Sequence, residues 1–280
     1  MGKVWDEFLH GSVADGIAAN GSPATCGHAV EIYSRLEELG DTVTEFLAAG
    51  FELGEPALVL ARREHFKLFA TRLAARGWDA ALQQQEGLLV VADTATIRHA
   101  VFDSDLPFAE AFEQVIGELL DRTAAHACGR DVRVFGELVD VLYRDGQPET
   151  AIAVEELWNH LARSRRFSLL CGYELDVFDP EAQAGTLGEI CRVHSHVLPA
   201  HDADGLARAV RLALDEELGQ AKAADVYYVV GNRFRDERLP IAQRVLMWVA
   251  ANRPDAADRV LAKARAHYGA ATAVPDTAGV

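Results

Sequence analysis

Three short segments of this 280-residue chain carry side chains that bind metals or act as nucleophiles. Cys26-Gly27-His28 lies near the amino end, Cys171 lies in an apolar run, and Cys191-Arg192-Val193-His194-Ser195-His196 follows it. Thiolate and imidazole form a soft donor set suited to zinc, copper(I) or iron. Cys26, His28, Cys171, Cys191 and His194 are therefore the candidate metal ligands, with a transition metal or haem as the candidate cofactor. On a helix, Cys-x-x-His would set Cys191 and His194 on one face, a turn apart. No Cys-x-x-Cys pair supports them, so a buried thiol and a hydrogen-bonded histidine at a helix end is the competing reading. Cys171 also reads as core, and Cys128, beside Gly129 in a turn, as a bystander.

His28, His65, Glu137, Trp158, Tyr173 and His194 are candidates for lining a small-molecule pocket. His65 follows an apolar strand, and ligands of open α/β sheets bind beyond the carboxyl ends of strands. Trp158 shares helical spacing with Leu157 and Leu161, which favours core packing over a ligand wall. With ten histidines and many carboxylates, some Ser-His-Asp combination will always fit, so no catalytic residue is assigned.

The elements that must position these groups alternate. From Val30, apolar positions Leu36, Leu39, Val43, Phe46 and Leu47 predict an amphipathic helix ending at Gly50 in a left-handed cap. Ala57–Ala61 is an apolar run of strand length that feeds a helical pattern through Phe66, Phe69 and Leu73. Similar runs at 88–91, 132–135 and 167–171 each precede a polar or helical stretch. Strands apolar on both faces, alternating with helices, predict an α/β fold: a mainly parallel sheet flanked by helices. Beyond Pro199 the pattern turns helical at 206–218, 240–250 and 256–268, with Val226-Tyr227-Tyr228-Val229-Val230 between the first two. The expected organisation is a lead-in at 1–27, a domain at 28–199 and a helical C-terminal segment at 200–280, whose tail from Ala270 is set to fray. Phe234, Tyr227 and Tyr228 read as packing against the main domain or as a partner surface.

Residues 201–280 hold 11 Lys and Arg and 11 Asp and Glu, so the formal charge of −16 falls on residues 1–200. Such a surface repels phosphate backbones and argues against direct nucleic-acid binding, with Arg233, Arg235 and Arg238 as the one local basic patch. Four scattered cysteines do not make a disulfide framework, and no run approaches a membrane span or a signal peptide. The expectation is a cytoplasmic protein without a membrane contact.

Gly50-Phe51-Glu52-Leu53-Gly54-Glu55 approaching the strand at 57 is similar to the RecA-like ATPases related to the circadian clock protein KaiC. A phosphate loop should then follow, with glycines, a lysine and a Ser or Thr. Instead the strand runs into Arg62-Arg63-Glu64-His65-Phe66-Lys67, so ATP is not expected as a ligand. Asp93 and Glu137 at strand ends could imitate magnesium-binding carboxylates. A simpler reading makes Asp93 a helix cap and sets Glu137 at the positive end of the helix it opens.

Several phrases together carry a family resemblance: His28, Gly54-Glu55, Phe135–Tyr143, Leu157-Trp158-Asn159-His160-Leu161 preceded by Glu155, Phe167–Tyr173, and Ile190–His196. Across most of 28–199 the chain resembles the MEDS family, the methanogen/methylotroph sensory domain. The resemblance implies a RecA-like fold without a working phosphate loop, used in prokaryotic signalling to sense small hydrocarbon derivatives, and it strengthens His28 as a pocket residue. In the family the domain usually accompanies a histidine kinase, a helix-turn-helix region or another output. This sequence shows no kinase motif and no clear DNA-binding unit ahead of His28, so the expected partner is a separate signalling protein such as a histidine kinase or transcription regulator, with self-association as a further expectation. Two rival readings remain: a metal- or thiol-dependent enzyme acting on a small electrophile, and a ligand-free oligomeric scaffold.

Overall fold

A computed structural model describes residues 27–233 and 238–272, which divide into two units. The first comprises the chain up to Glu174 together with Val193–His196. It is built on a sheet of six strands: β1 (His28–Tyr33), β2 (Ala57–Ala61), β3 (Leu89–Asp93), β4 (Val132–Gly136), β5 (Phe167–Glu174) and the two-residue β6 (His196–Val197), in the order β3-β2-β4-β5-β1-β6. The pairs β2 with β3, β2 with β4, β4 with β5 and β1 with β5 are all parallel, the last in the register Val30 opposite Cys171. Ala57–Ala61 and Val132–Gly136 are buried throughout, as central strands covered on both faces require.

Between the strands run α1 (Leu36–Glu52), α2 (Arg63–Ala75), α3 (Ala80–Gln85), α4 (Thr94–Phe102), α5 (Phe108–Ala124), α6 (Leu138–Arg144) and α7 (Pro148–Leu161). The helix expected from Val30 is corrected at its start. Val30, Ile32 and Tyr33 are β-branched or aromatic and pair in β1, and the helical stripe begins only at Leu36. Arg35 precedes the helix, and its N–H donates to Glu38 Oε2 at 3.3 Å, one half of a capping box. The far end is corrected too. Gly50 is helical and packs where a Cβ would lie 2.5 Å from Arg133 Cγ, and the left-handed residue is Gly54, at φ +68°. Asp93 caps α4 as expected, accepting from the Ala95 N–H at 2.8 Å.

The second unit comprises Leu175–Arg192 and the chain from Val197 onward. A π-helical turn at Ala182–Thr186 leads into α8 (Leu187–Val193), and α9 (Ala203–Leu218), α10 (Gln220–Arg233), α11 (Ile241–Asn252) and α12 (Pro254–Thr272) follow. Leu214, Val226, Val230, Val245, Leu246 and Val260 belong to its core. Val226–Val230 is thus helical: Ala223, Val226 and Val230 fall on one buried stripe, while Tyr228 is exposed and the Tyr227 ring lies 5.2 Å under the Arg211 guanidinium. Arg233 and Arg238 are exposed, whereas Cys26, Phe234, Arg235 and the tail beyond Thr272 lie outside the described residues. Among the described residues no helix is long and apolar enough to cross a membrane.

Candidate functional site

Four segments of the first unit bring polar side chains to one buried point. β1 supplies His28, α7 supplies Glu155 and Asn159, β5 supplies Cys171 and Tyr173, and the segment after α8 supplies His194. Local sequence explains the aim of each. In α7, Ala151, Val154, Glu155, Trp158 and Leu161 form the buried face, so Glu155 points inward from an otherwise apolar stripe, and Asn159 lies one turn further on. In β5, Cys171 and Tyr173 are two residues apart and share a face of the strand. Gly172 between them faces the other way, where a Cβ would meet Leu39 at 2.9 Å.

Glu155 has no exposed surface, and neither do Cys171 and Tyr173; His194 is 1% exposed and His28 5%. His28 Nε2 lies 3.1 Å from Glu155 Oε2, and the Cys171 thiol donates to the same oxygen at 3.3 Å. Oε1 accepts from the Tyr173 hydroxyl at 2.9 Å and lies 3.3 Å from His194 Nε2. The two imidazoles touch, with ring centroids 4.1 Å apart and planes tilted by 52°. Asn159 fixes the first imidazole. Its amide nitrogen donates to the Val193 carbonyl at 2.8 Å, which turns its oxygen toward His28 Nδ1, 3.0 Å away. An amide oxygen only accepts, so Nδ1 carries a hydrogen and Nε2 is the ring atom turned to the cluster. The Ser195 hydroxyl accepts from the His28 N–H at 2.9 Å and holds the strand beside it.

Charge follows from burial and neighbours. Burial, then the adjacent His194, push His28 below its ordinary 6.5 despite Glu155. Burial by itself would raise Glu155, but charge and hydrogen bonds from His194 and His28 outweigh it and hold the carboxyl well below the ordinary carboxylate range. Burial and the neighbouring carboxylate raise the Cys171 thiol and the Tyr173 phenol well above their usual values.

A second polar cluster lies just beyond the carboxyl ends of β2 and β4. The Arg62 guanidinium contacts Asp140 Oδ2 at 2.6 Å, Glu137 Oε2 at 3.2 Å and the Tyr33 hydroxyl at 3.3 Å. His65 Nδ1 lies 2.7 Å from Glu137 Oε2, and the Glu174 N–H donates to Asp140 Oδ1 at 2.8 Å. Burial raises Asp140 above its ordinary range and, with Asp140, raises Tyr33. Glu137 does not cap the helix it opens. Its side chain accepts from the Arg62 backbone and side chain instead, because β2 delivers a cation at that point.

The candidate residues are thus sorted. His28, Cys171, His194 and Tyr173 converge, and His65 and Glu137 meet in the other cluster. Trp158 is core: its ring makes edge contacts with Phe112 at 5.5 Å and Phe167 at 5.8 Å. Cys191 is buried on α8 but is not one of the four side chains with converging ligand atoms, since the fold delivers the strand cysteine there instead. Cys26 lies outside the described residues, and Cys128 is exposed in a turn with φ 49°. Sequence reasoning missed Glu155 and Asn159 as site residues. A glutamate on the apolar stripe of α7 was the available signal.

Comparison with known proteins gives a family match and a curated relative. The family described as the MEthanogen/methylotroph, DcmR Sensory domain (MEDS) matches residues 27–195, which include every residue of both clusters. A stretch of 93 residues is 30% identical to the UPF0273 protein PF1931 of Pyrococcus furiosus, covering 32% of this chain and 33% of that protein. The chain thus spans about a third of the length of that relative.

Proposed function

Because this chain belongs to the MEDS family of sensory domains, we propose that it is a signalling sensor in which the sheet unit recognises a small molecule at the Glu155 cluster and reports it to a separate protein. The observation that carries this reading is the cluster itself: a fully buried carboxylate among two imidazoles, a thiol and a phenol, drawn from four segments within the family match. Apolar side chains of similar volume would give equal or greater stability at such a position, so the polar set calls for a reason other than folding. The thiol also argues against the enzyme alternative, because Cys171 is held protonated and a thiol is a poor nucleophile compared with a thiolate.

In this reading residues 28–199 are the sensory domain, a RecA-like sheet without a phosphate loop, and residues 200–280 carry the output. The ligand is a small hydrocarbon derivative. The partner is a cytoplasmic signalling protein, a histidine kinase or a transcription regulator, and self-association is a second route of output. Occupancy is transmitted only if the ligand has different affinities for two conformations.

The test is hydrogen exchange on the full chain with a panel of one- and two-carbon alcohols, aldehydes and halides. A panel member should slow exchange in β1, β5 and α7 of the wild type and leave Glu155→Gln unchanged. A response that is identical in Glu155→Gln, or steady-state product formation from the same compound, overturns the proposal.

A further inference from the structure

We propose that His28, Glu155, Cys171 and His194 form a closed four-ligand site for a thiophilic divalent cation, zinc being the ion that suits it. As a cofactor for sensing, the ion rests on the reading above; as a binding site it rests on geometry alone. Each of the four residues offers one ligand atom, and these atoms all lie within 4.8 Å of one another.

The first argument is a contact that needs a cation. Asn159 accepts from His28 Nδ1, which leaves Nε2 facing the carboxylate Oε2 across 3.1 Å. At that distance a proton or a metal ion must lie with the pair. The polar partners of Glu155 among the described residues are His28, His194, Cys171 and Tyr173, without a lysine or arginine to supply permanent charge.

The second argument is dimensional. A tetrahedron with zinc–nitrogen bonds of about 2.0–2.1 Å and a zinc–sulfur bond of about 2.3 Å has edges of roughly 3.3–3.7 Å. Cys171 Sγ lies 3.3 Å from Glu155 Oε2 and 3.5 Å from His28 Nε2, and His28 Nε2 lies 3.1 Å from the same oxygen, so these three atoms already stand at such edges to within a few tenths of an ångström. His194 Nε2 lies 3.3 Å from the other oxygen, Oε1, and the fourth ligand atom is within 4.8 Å of the rest.

The third argument is the outer shell. Metal-bound histidines donate their other N–H to a fixed acceptor, which is the role of Asn159 toward His28, and the Tyr173 hydroxyl braces the carboxylate. Two imidazoles, one thiol and one carboxylate form a borderline-soft set that selects zinc over magnesium or calcium. Haem does not fit, because imidazoles with centroids 4.1 Å apart leave no slot for a porphyrin between them. On binding, Cys171 releases its thiol proton to solvent as the sulfur–metal bond forms, and any proton held between His28 Nε2 and Glu155 leaves with it as the nitrogen–metal bond forms. Four protein ligands leave no open position for a metal-bound water.

The experiment uses the reduced, chelator-treated full chain, titrated with zinc and, as a spectroscopic probe, cobalt(II). The expected result is one equivalent bound, a rise in Tm with zinc, and a sulfur-to-cobalt charge-transfer band. Cys171→Ser should lose the band and Cys191→Ser should keep it. Asn159→Ala should keep it with about tenfold to hundredfold weaker affinity. Should Cys171→Ser fail to fold, Glu155→Gln serves in its place, retaining the thiolate band with weakened binding. Absence of stoichiometric binding, or a cobalt spectrum unchanged in Cys171→Ser, means that the contact is bridged by a proton, and the inference falls. Repeating the exchange experiment with and without zinc separates the two proposals. A ligand response lost in Glu155→Gln without any zinc binding keeps the sensor and removes the metal, whereas zinc binding together with a ligand response unchanged in Glu155→Gln keeps the metal and removes the sensory centre.

Discussion

The Glu155 cluster and the Glu137–Asp140 cluster share one sheet unit and both bury carboxylates completely, yet they balance the charge differently. Beyond β2 the chain supplies a permanent cation, Arg62, to Glu137 and Asp140. Around Glu155, among the described residues, it supplies no fixed cation, only two imidazoles, a thiol and a phenol. The carboxyl ends of β2 and β4 are therefore occupied by the protein's own salt bridges.

The strongest way to break this comparison is Arg62→Met. It should cost about 3 kcal/mol or more, because two fully buried carboxylates lose their cation, and adding Asp140→Asn should recover much of the loss. Urea unfolding checks both, and a neutral Arg62→Met would remove the distinction. Glu155→Gln in metal-free protein should cost about 1–3 kcal/mol, the range for buried donors left without their acceptor.

Dependence on pH should differ in sign between the clusters. His28 lies below 6.5 and Glu155 below 4.5 in the folded chain, so the unfolded chain binds more protons there. Their contribution is therefore present above 6.5 and 4.5 respectively, and is lost as pH falls from each of those values through the folded-state value. Asp140 is raised above 3.8, so its ionisation weakens the fold as pH climbs through its folded-state value. Urea midpoints from about pH 7.5 to 4.5 should fall for the wild type. The fall should be steeper in Asp140→Asn, and steeper also in Glu155→Gln, because Glu155 is the neighbour that raises His28 against burial. Tyr173→Phe should cost about 1 kcal/mol, one hydrogen bond to the carboxylate, read from Tm. Cys128→Ser, in an exposed turn, should stay within about 0.5 kcal/mol of the wild type.

The central strands were legible in the sequence because Ala57–Ala61 and Val132–Phe135 are apolar on both faces, a pattern that a parallel sheet imposes. β1 was not, because Val30 also fits the period of the helix that follows, and His28 was placed without the strand that aims it. The helix over Val226–Val230 was hidden by β-favouring residue types, whose preference gave way to packing along one stripe. At the site, the imidazoles and Cys171 could be named from their chemistry. Cys191 drew attention through its spacing to His194, but a spacing along one helix says nothing about which cysteine a strand brings to the same point. Glu155 was lost among 43 acidic residues, although its place on a buried stripe set it apart.

The division of the chain has a mechanical consequence. The polypeptide leaves the sheet unit after Glu174, returns for Val193–His196 alone, and departs again at Val197. His194, together with the Val193 carbonyl that anchors Asn159, thus rides on a four-residue span of at most about 14 Å, continuous at each end with the helical unit. His194 is therefore joined to that unit by covalent bonds within three residues in either direction, so one ligand-bearing segment and the tie between the units are the same stretch of backbone.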